Sequence, residues 1–131
     1  MAKEKIVLCD TNILIEALRQ NPIIIEQLNL IGSENIAISI ITYAELLYGA
    51  RDKNEANKIK KYLQFIRLIP ATTEISELFV DLINKYTLSH SIGIPDTFIA
   101  ATALHFNLPL YTLNNKDSKF ISNLNLFTPK K

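Results

Sequence analysis

Asp10, Glu45, Asp96 and Asp117 share one kind of position in this chain. Each stands at or soon after the point where an apolar, strand-like run gives way to a helix or a turn. Asp10 closes Ile6-Val7-Leu8-Cys9 and is followed by Thr11 and Asn12; Glu45 comes five residues after Ile40. Asp96 follows Ile94-Pro95, and Asp117 follows Leu110-Tyr111-Thr112-Leu113 and a short turn. If the strands are parallel neighbours, these carboxylates converge on one rim. Two unit charges about 4 Å apart repel by roughly 4 kcal/mol at an effective dielectric of 20. Three or four of them call for protons or a bound cation, and an all-oxygen donor set suits Mg2+ or Mn2+. Two such ions about 4 Å apart can activate water and stabilise the leaving oxygen of a phosphate ester.

Each acid also admits a structural reading. Asp10 or Thr11 can cap a helix, and Thr42-Tyr43-Ala44-Glu45 fits the capping box in which a Glu accepts a backbone N–H. Asp96 next to Pro95 suits the positive end of a helix dipole, and Asp117 can cap the turn that follows it.

The elements that must position the acids follow from hydrophobic periodicity. Strands are expected at 5–9, 36–40, 68–70 and 110–113, with 126–127 as a possible edge strand. Helices are expected at 12–19, 23–30, 43–50, 54–66, 73–86 and from Pro95 through Phe106, with Thr73 as an N-cap and a helical turn or two at 116–121. Short apolar strands alternating with helices predict an α/β fold, a central parallel sheet covered on both faces. In such sheets ligands bind at the carboxyl ends of the strands, which is where the acids fall.

Composition bounds the rest. A chain of 131 residues suits one domain with one core, here read as spanning 1–131. With 48% hydrophobic residues, 3 glycines and 5 prolines, there is no sign of linkers or low complexity. The formal charge of +1 leaves any basic surface local. The lone cysteine, Cys9, lies in an apolar run and reads as a reduced, buried residue of a cytoplasmic protein. No stretch approaches the roughly 20 apolar residues of a membrane span. Zinc fits poorly, because Cys9, His90 and His105 show no ligand spacing. Phosphate-loop, dinucleotide-binding and nucleophile-elbow motifs are absent. An aspartyl-phosphate phosphatase needs an acid where Asn12 stands, and a receiver needs an acidic pair where only Asp10 is found.

Together the segments VLCDTNILIEAL, ISIITYAELLYGA, IPDTFIAATAL and YTLNNKDSKF resemble the PIN domain, in particular the VapC-type toxins of bacterial toxin–antitoxin pairs. The resemblance runs from about Ile6 to Phe127 with the four motifs in the family's order. It implies a three-layer fold and a Mg2+- or Mn2+-dependent endoribonuclease that leaves a 5′-phosphate and a 3′-hydroxyl. Carried over by position, Asp10, Glu45 and Asp96 match the family acids that hold metal, and Asp117 matches a fourth, more variable one. Thr11 and Asn12 match the polar pair after the first acid, and Asn114 the polar residue of T-x-N-x-x-D. The aromatic usual after the last acid is missing; Ser118 stands there and Phe120 comes two positions later. The resemblance further implies an RNA substrate, a cognate antitoxin protein whose C-terminal segment covers the site, and a homodimer. A PIN-like module that binds RNA or protein without cutting is the alternative, though such a module has no need of three repelling carboxylates.

Two basic groups are candidates for phosphate contact. Residues 51–67 carry a local balance of +4, with Lys53, Lys60 and Lys61 off the apolar stripe of their helix. Lys116, Lys119, Lys130 and Lys131 form the second group, expected nearer the acidic rim. Tyr43, Leu46, Leu47 and Tyr48 surround Glu45, either as core or as an apolar wall for a partner helix.

Overall fold

Leu8 and Ala37 point one way from their strands, and Val7, Cys9, Ile36 and Ile38 the other, so both faces of the sheet need cover. The computed structural model, which describes residues 5–130, supplies that cover with six helices. The elements are β1 (Val7–Cys9), α1 (Thr11–Leu18), α2 (Pro22–Ile31), β2 (Ile36–Ser39), α3 (Ile40–Tyr48), α4 (Lys53–Leu63), β3 (Arg67–Ile69), α5 (Thr73–Tyr86), α6 (Ile94–Phe106) and β4 (Leu110–Tyr111). Single 3-10 turns lie at Ser33–Asn35 and Asn115–Asp117.

The sheet is parallel in every pairing, with strand order β3-β2-β1-β4. Leu8 sits opposite both Ala37 and Leu110, which puts β1 at the centre. On one face, Val7, Cys9, Ile36 and Ile38 pack with Ile13, Leu14 and Leu28 from α1 and α2, Leu46 from α3, and Ile59 and Leu63 from α4. On the other, Leu8 and Ala37 meet Ile99 and Ala103 of α6, which itself packs on α5 through Ile75, Leu82 and Ala100. Small residues at 37 and 103 let α6 lie close to the sheet, the physical content of the large–small alternation along β2, while Ala100 and Ala101 admit α5 on its other side.

Several boundaries differ from expectation. Helix α3 begins at Ile40, because Ser39 turns out of β2 and its hydroxyl accepts the Ile41 N–H at 3.1 Å. The same substitution of neighbour holds at α5, where Thr72 rather than Thr73 is the N-cap and accepts from Ile75 N at 3.1 Å. Strand β4 ends at Tyr111, two residues early, because Thr112 turns its hydroxyl to Asp10. The helical turns expected over 116–121 shrink to Asn115–Asp117, and the edge strand at 126–127 to a bridge between Leu126 and Leu110. Among the described residues, no helix is long and apolar enough to cross a membrane.

Candidate active site

Asp10 is fixed by the sheet. Its backbone N–H continues the β1–β4 ladder to the Tyr111 carbonyl at 2.9 Å, which leaves the side chain at the carboxyl end of the central strand. The residue is 6% exposed, so both carboxylate oxygens need partners. One accepts the Thr11 N–H at 2.7 Å and the other accepts the Thr112 hydroxyl at 2.7 Å. Burial pushes its pKa up; the bonds from Thr112 and Thr11 pull it back, and the Glu45 charge pushes further up. Asp10 is therefore both the N-cap of α1 and a strained anion. Cys9 beside it is fully buried, its thiol pushed up to about 12 by burial and then by Asp10, so it packs and does not react.

Glu45 reaches the same rim from α3. It is exposed, and its Oε1 accepts the Thr11 hydroxyl at 2.7 Å. The Thr11 oxygen also lies 3.0 Å from the Thr42 hydroxyl, with both threonines buried. The capping-box reading of Thr42 and Glu45 is thereby overturned. Ser39 occupies the cap, Thr42 is already inside the helix, and Glu45 is one turn beyond it.

Asp96 comes from the opposite layer. The N-cap of α6 is Gly93, which has no side chain to offer, and among the described residues the Asp96 carboxylate takes no hydrogen bond. A Cβ placed on Gly93 would lie 3.7 Å from Asp96 Oδ2, so the glycine leaves the carboxylate an open flank. Half-buried, Asp96 has its pKa raised first by burial and then by the charges of Asp10, Glu45 and Asp117. All four acids thus lie within one electrostatic field.

Asp117 is exposed on the 3-10 turn after β4. Its N–H donates to the Asn114 carbonyl at 3.0 Å, and the Asn114 N–H donates to the Thr112 hydroxyl at 3.1 Å. Asn12 braces this turn from α1: its Oδ1 accepts Leu113 N–H at 3.3 Å and its amide meets Thr112 Oγ1 at 3.4 Å. Asn114 acts here through its backbone. Thr112 is the residue sequence reasoning passed over, although its place in T-x-N-x-x-D, directly after a strand and two residues before Asn114, was a usable signal.

Comparison with known proteins agrees with this geometry. The family model for the PIN domain matches residues 7–122. The chain belongs to the PIN-domain family. Among PIN proteins it is 34% identical over 130 residues to Ribonuclease VapC1 of Rickettsia felis, covering 93% of this chain and 95% of that protein. It is 33% identical over 99 residues to Ribonuclease VapC of Rickettsia bellii, covering 70% and 74%. The fold superposes on VapBC2 from Rickettsia felis bound to a promoter DNA fragment with TM-score 0.83 and 30% identity, over 93% of this chain and 97% of that one. A toxin–antitoxin complex from Klebsiella pneumoniae gives 0.79 and 30%, over 95% and 98%.

The donor chemistry of this PIN domain fits a hard divalent cation. Asp10, Glu45 and Asp96 offer only oxygens, and their mutual repulsion is what a cation relieves. As the side chains stand, however, no three acids, histidines or cysteines among the described residues close on a single point. The field at Asp96 and the lack of a closed cage are compatible, because charges act over a longer range than ligand bonds. Asp10 is held by two bonds and Glu45 by Thr11, whereas Asp117 is exposed and Asp96 takes no hydrogen bond among the described residues.

The basic residues divide differently from expectation. A groove of about 650 Å3 runs from Glu45 between α1, α3 and α4, floored by Ile15, Leu18, Leu46 and Ile59. Its cations are Arg19, Arg51 and Lys58, while Lys53, Lys60 and Lys61 are exposed outside it. Lys116 and Lys119 are exposed on either side of Asp117. Lys130 is no part of that group: its backbone pairs with Gln27, and it lines a hollow with Lys5, Val7 and Asn35 at the amino ends of β1 and β2. Lys131 lies outside the described residues. Around Glu45, Leu46 is buried and Tyr43 and Leu47 pack against the core, leaving Tyr48 95% exposed.

Thr112→Val tests the hydroxyl network. It keeps the shape at this position, removes the bond that steadies Asp10 and leaves the Asn114 N–H without its acceptor. Loss of such an outer-shell partner typically costs about 10- to 100-fold. The expected result is an RNA-cleavage rate lowered in that range at fixed Mn2+, with the far-ultraviolet spectrum unchanged.

Proposed function

We propose that this PIN domain is the toxin of a VapBC-type pair, a Mg2+- or Mn2+-dependent endoribonuclease of the cytoplasm. The observation that carries this reading is the Asp96 carboxylate, half-buried, without a hydrogen bond among the described residues and facing the charges of three other acids. A capping role needs none of this, and a module that only binds RNA gains nothing from it.

Asp10 and Asp96 would hold the ion directly. Glu45 would complete the ligand set or orient the attacking water, and Asp117 would bind a second ion or stand outside the first. When bound, the ions neutralise phosphate charge and lower the pKa of a coordinated water. The chain's own groups do the rest. The Thr112 hydroxyl and the Thr11 N–H aim Asp10 and oppose the rise in its pKa that burial causes, and Thr11 ties Glu45 to the same rim. A water oxygen bonds to phosphorus in line with the leaving group, the bond from phosphorus to the 3′ oxygen breaks, and that oxygen takes up a proton. Products carry a 5′-phosphate and a 3′-hydroxyl.

The groove beside Glu45 offers an apolar floor and walls of mixed charge, with Arg19 paired to Glu16 and Arg51 to Glu55, to a segment of an antitoxin, and solved relatives are toxin–antitoxin complexes. The working unit is proposed to be a homodimer. The test is end-group analysis. Purified protein should cut single-stranded RNA in Mn2+ or Mg2+ but not in chelator, and the 3′ fragments should be ligatable through a 5′-phosphate. RNA bound in both conditions and cut in neither would establish the non-cleaving module instead.

A further inference from the structure

The segments before Asp96 and after Asp117 carry an aromatic stack that the acid chemistry does not use. The rings of His90 and Phe120 lie face to face, with centroids 3.9 Å apart and planes within 10°. Tyr86 meets both edge-on, at 5.5 Å from His90 and 4.9 Å from Phe120, and its hydroxyl accepts the Ser122 N–H at 3.3 Å. Tyr86 is buried in the α5–α6 core, so the inner end of the stack is anchored. The outer end is not. His90 is exposed; its backbone N–H donates to the Tyr86 carbonyl at 2.9 Å, and among the described residues the ring's one hydrogen-bond neighbour is Ser89, whose Oγ lies 2.8 Å from Nδ1 in the ring's edge. Among the described residues no other aromatic ring lies on the face of the imidazole turned away from Phe120, and the residue as a whole is exposed.

The location gives this face a meaning. His90 is three residues before Gly93, which flanks the Asp96 carboxylate, and three residues of chain reach at most about 11 Å. Phe120 is three residues beyond Asp117, with exposed Lys119 beside it and exposed Lys116 just before that acid. The stack thus joins the segments that carry two of the four acids, and two exposed lysines lie on the same segment as Phe120. Flat faces next to backbone cations recognise unpaired bases, because every base has a π-face and stacking tolerates sequence.

We propose that the exposed face of His90, backed by Phe120 and Tyr86, is a stacking platform for an unpaired base of the RNA strand flanking the cut phosphate. The proposal rests on the ribonuclease reading for its ligand, a single-stranded RNA. It also explains the missing aromatic after Asp117: Phe120 supplies the ring from a position where it can back His90. A base held in this way must first leave its own helix, so loops and unpaired ends are the favoured substrates.

The test uses full-length protein carrying Asp96→Asn, in Mg2+, and a single-stranded RNA with one 2-aminopurine. Stacking quenches that base. The expected result is quenching on binding, with His90→Ala abolishing the quench and raising Kd at least about fivefold. His90→Phe should keep both, since it preserves the ring. The slope of log Kd against log salt should be the same in all three, because the phosphate contacts remain. An unchanged Kd and quench in His90→Ala overturns the platform, as does a His90→Phe protein that fails as badly as His90→Ala. Failure of the probe to bind at low salt overturns it too. The two readings separate cleanly. A chain that cuts RNA but ignores His90→Ala loses only the platform, whereas one that quenches the probe yet never cuts loses only the nuclease.

Discussion

Asp96→Asn is expected to abolish ion-dependent RNA cleavage while making the metal-free protein more stable. The loss should exceed the roughly 10- to 100-fold that follows removal of an outer-shell partner, since Asp96 is assigned to the ion itself. The stability gain follows from what the carboxylate lacks. It caps nothing, takes no hydrogen bond among the described residues, and faces the charges of Asp10, Glu45 and Asp117. Asparagine keeps the size and removes the repulsion, so Tm should rise by a few degrees, with about 1 kcal/mol moving Tm by roughly 4 °C in a domain of this length. At an acid whose role was to face the helix N-terminus, the same substitution would instead lower Tm, through the lost attraction of the charge for the helix dipole, about 0.3–1 kcal/mol. Calorimetry in chelator, paired with a cleavage assay in Mn2+, reads both halves. A lowered Tm with cleavage intact would return Asp96 to a capping role and remove the metal assignment.

Asp10→Asn makes the contrast. Its two oxygens accept from Thr11 N–H and the Thr112 hydroxyl, and an amide can accept only through its single oxygen. The relief of repulsion there is offset by a lost acceptor, so the stability of that variant says little about the acid cluster. Asp96 is the cleaner probe because it accepts no hydrogen bond among the described residues, and its place in the first turn of α6 sets only a small dipole attraction against the repulsion of three acids.

The parts of this architecture that were legible in the sequence are those where one residue type has one use. An apolar run ended by Asp10, the large and small alternation along β2 and the acid after Pro95 each follow from burial or backbone geometry alone. Boundaries set by competition between neighbours were not legible. Ser39 and Thr42 can both cap α3, and the choice falls to Ser39 because Thr42, once inside the helix, lies against Thr11 in the core. Thr112 looked like the third residue of a strand, and only Asp10, more than a hundred residues earlier, draws it out. The lysines of α4 show the same limit from the surface side. Periodicity separates an apolar stripe from a polar one, but whether Lys58 or Lys60 faces the groove depends on where α1 and α3 close it. His90 shows in the sequence only that it has no metal-ligand spacing, since its stacking partner is thirty positions away and a single sequence carries no trace of the contact.

The acid cluster also fixes how ion binding must depend on pH. Asp10 and Asp96 both have folded pKa values above the ordinary 3.8, through burial and mutual charge. A raised carboxyl means the folded chain holds protons that the unfolded chain has released, so metal-free stability falls as pH rises through the folded values and then levels. An ion that takes the place of those protons behaves in the opposite sense. Below the folded pKa values its affinity should drop about tenfold per pH unit for each proton it displaces. The Tm increment on adding Mn2+ should accordingly be large near neutrality and vanish toward the ordinary carboxylate range. Other groups titrate as well; Glu55, drawn down by its bonds from Arg51, works with the reverse sign. The clean quantity is therefore the metal-free Tm difference between Asp96→Asn and wild type. Protonated Asp96 is nearly isosteric with asparagine, so that gap should be open at neutral pH and close as the medium is acidified. A gap that stays constant with pH would mean that the charge on Asp96 is not what burdens the fold, and the electrostatic case for a bound cation would fall with it.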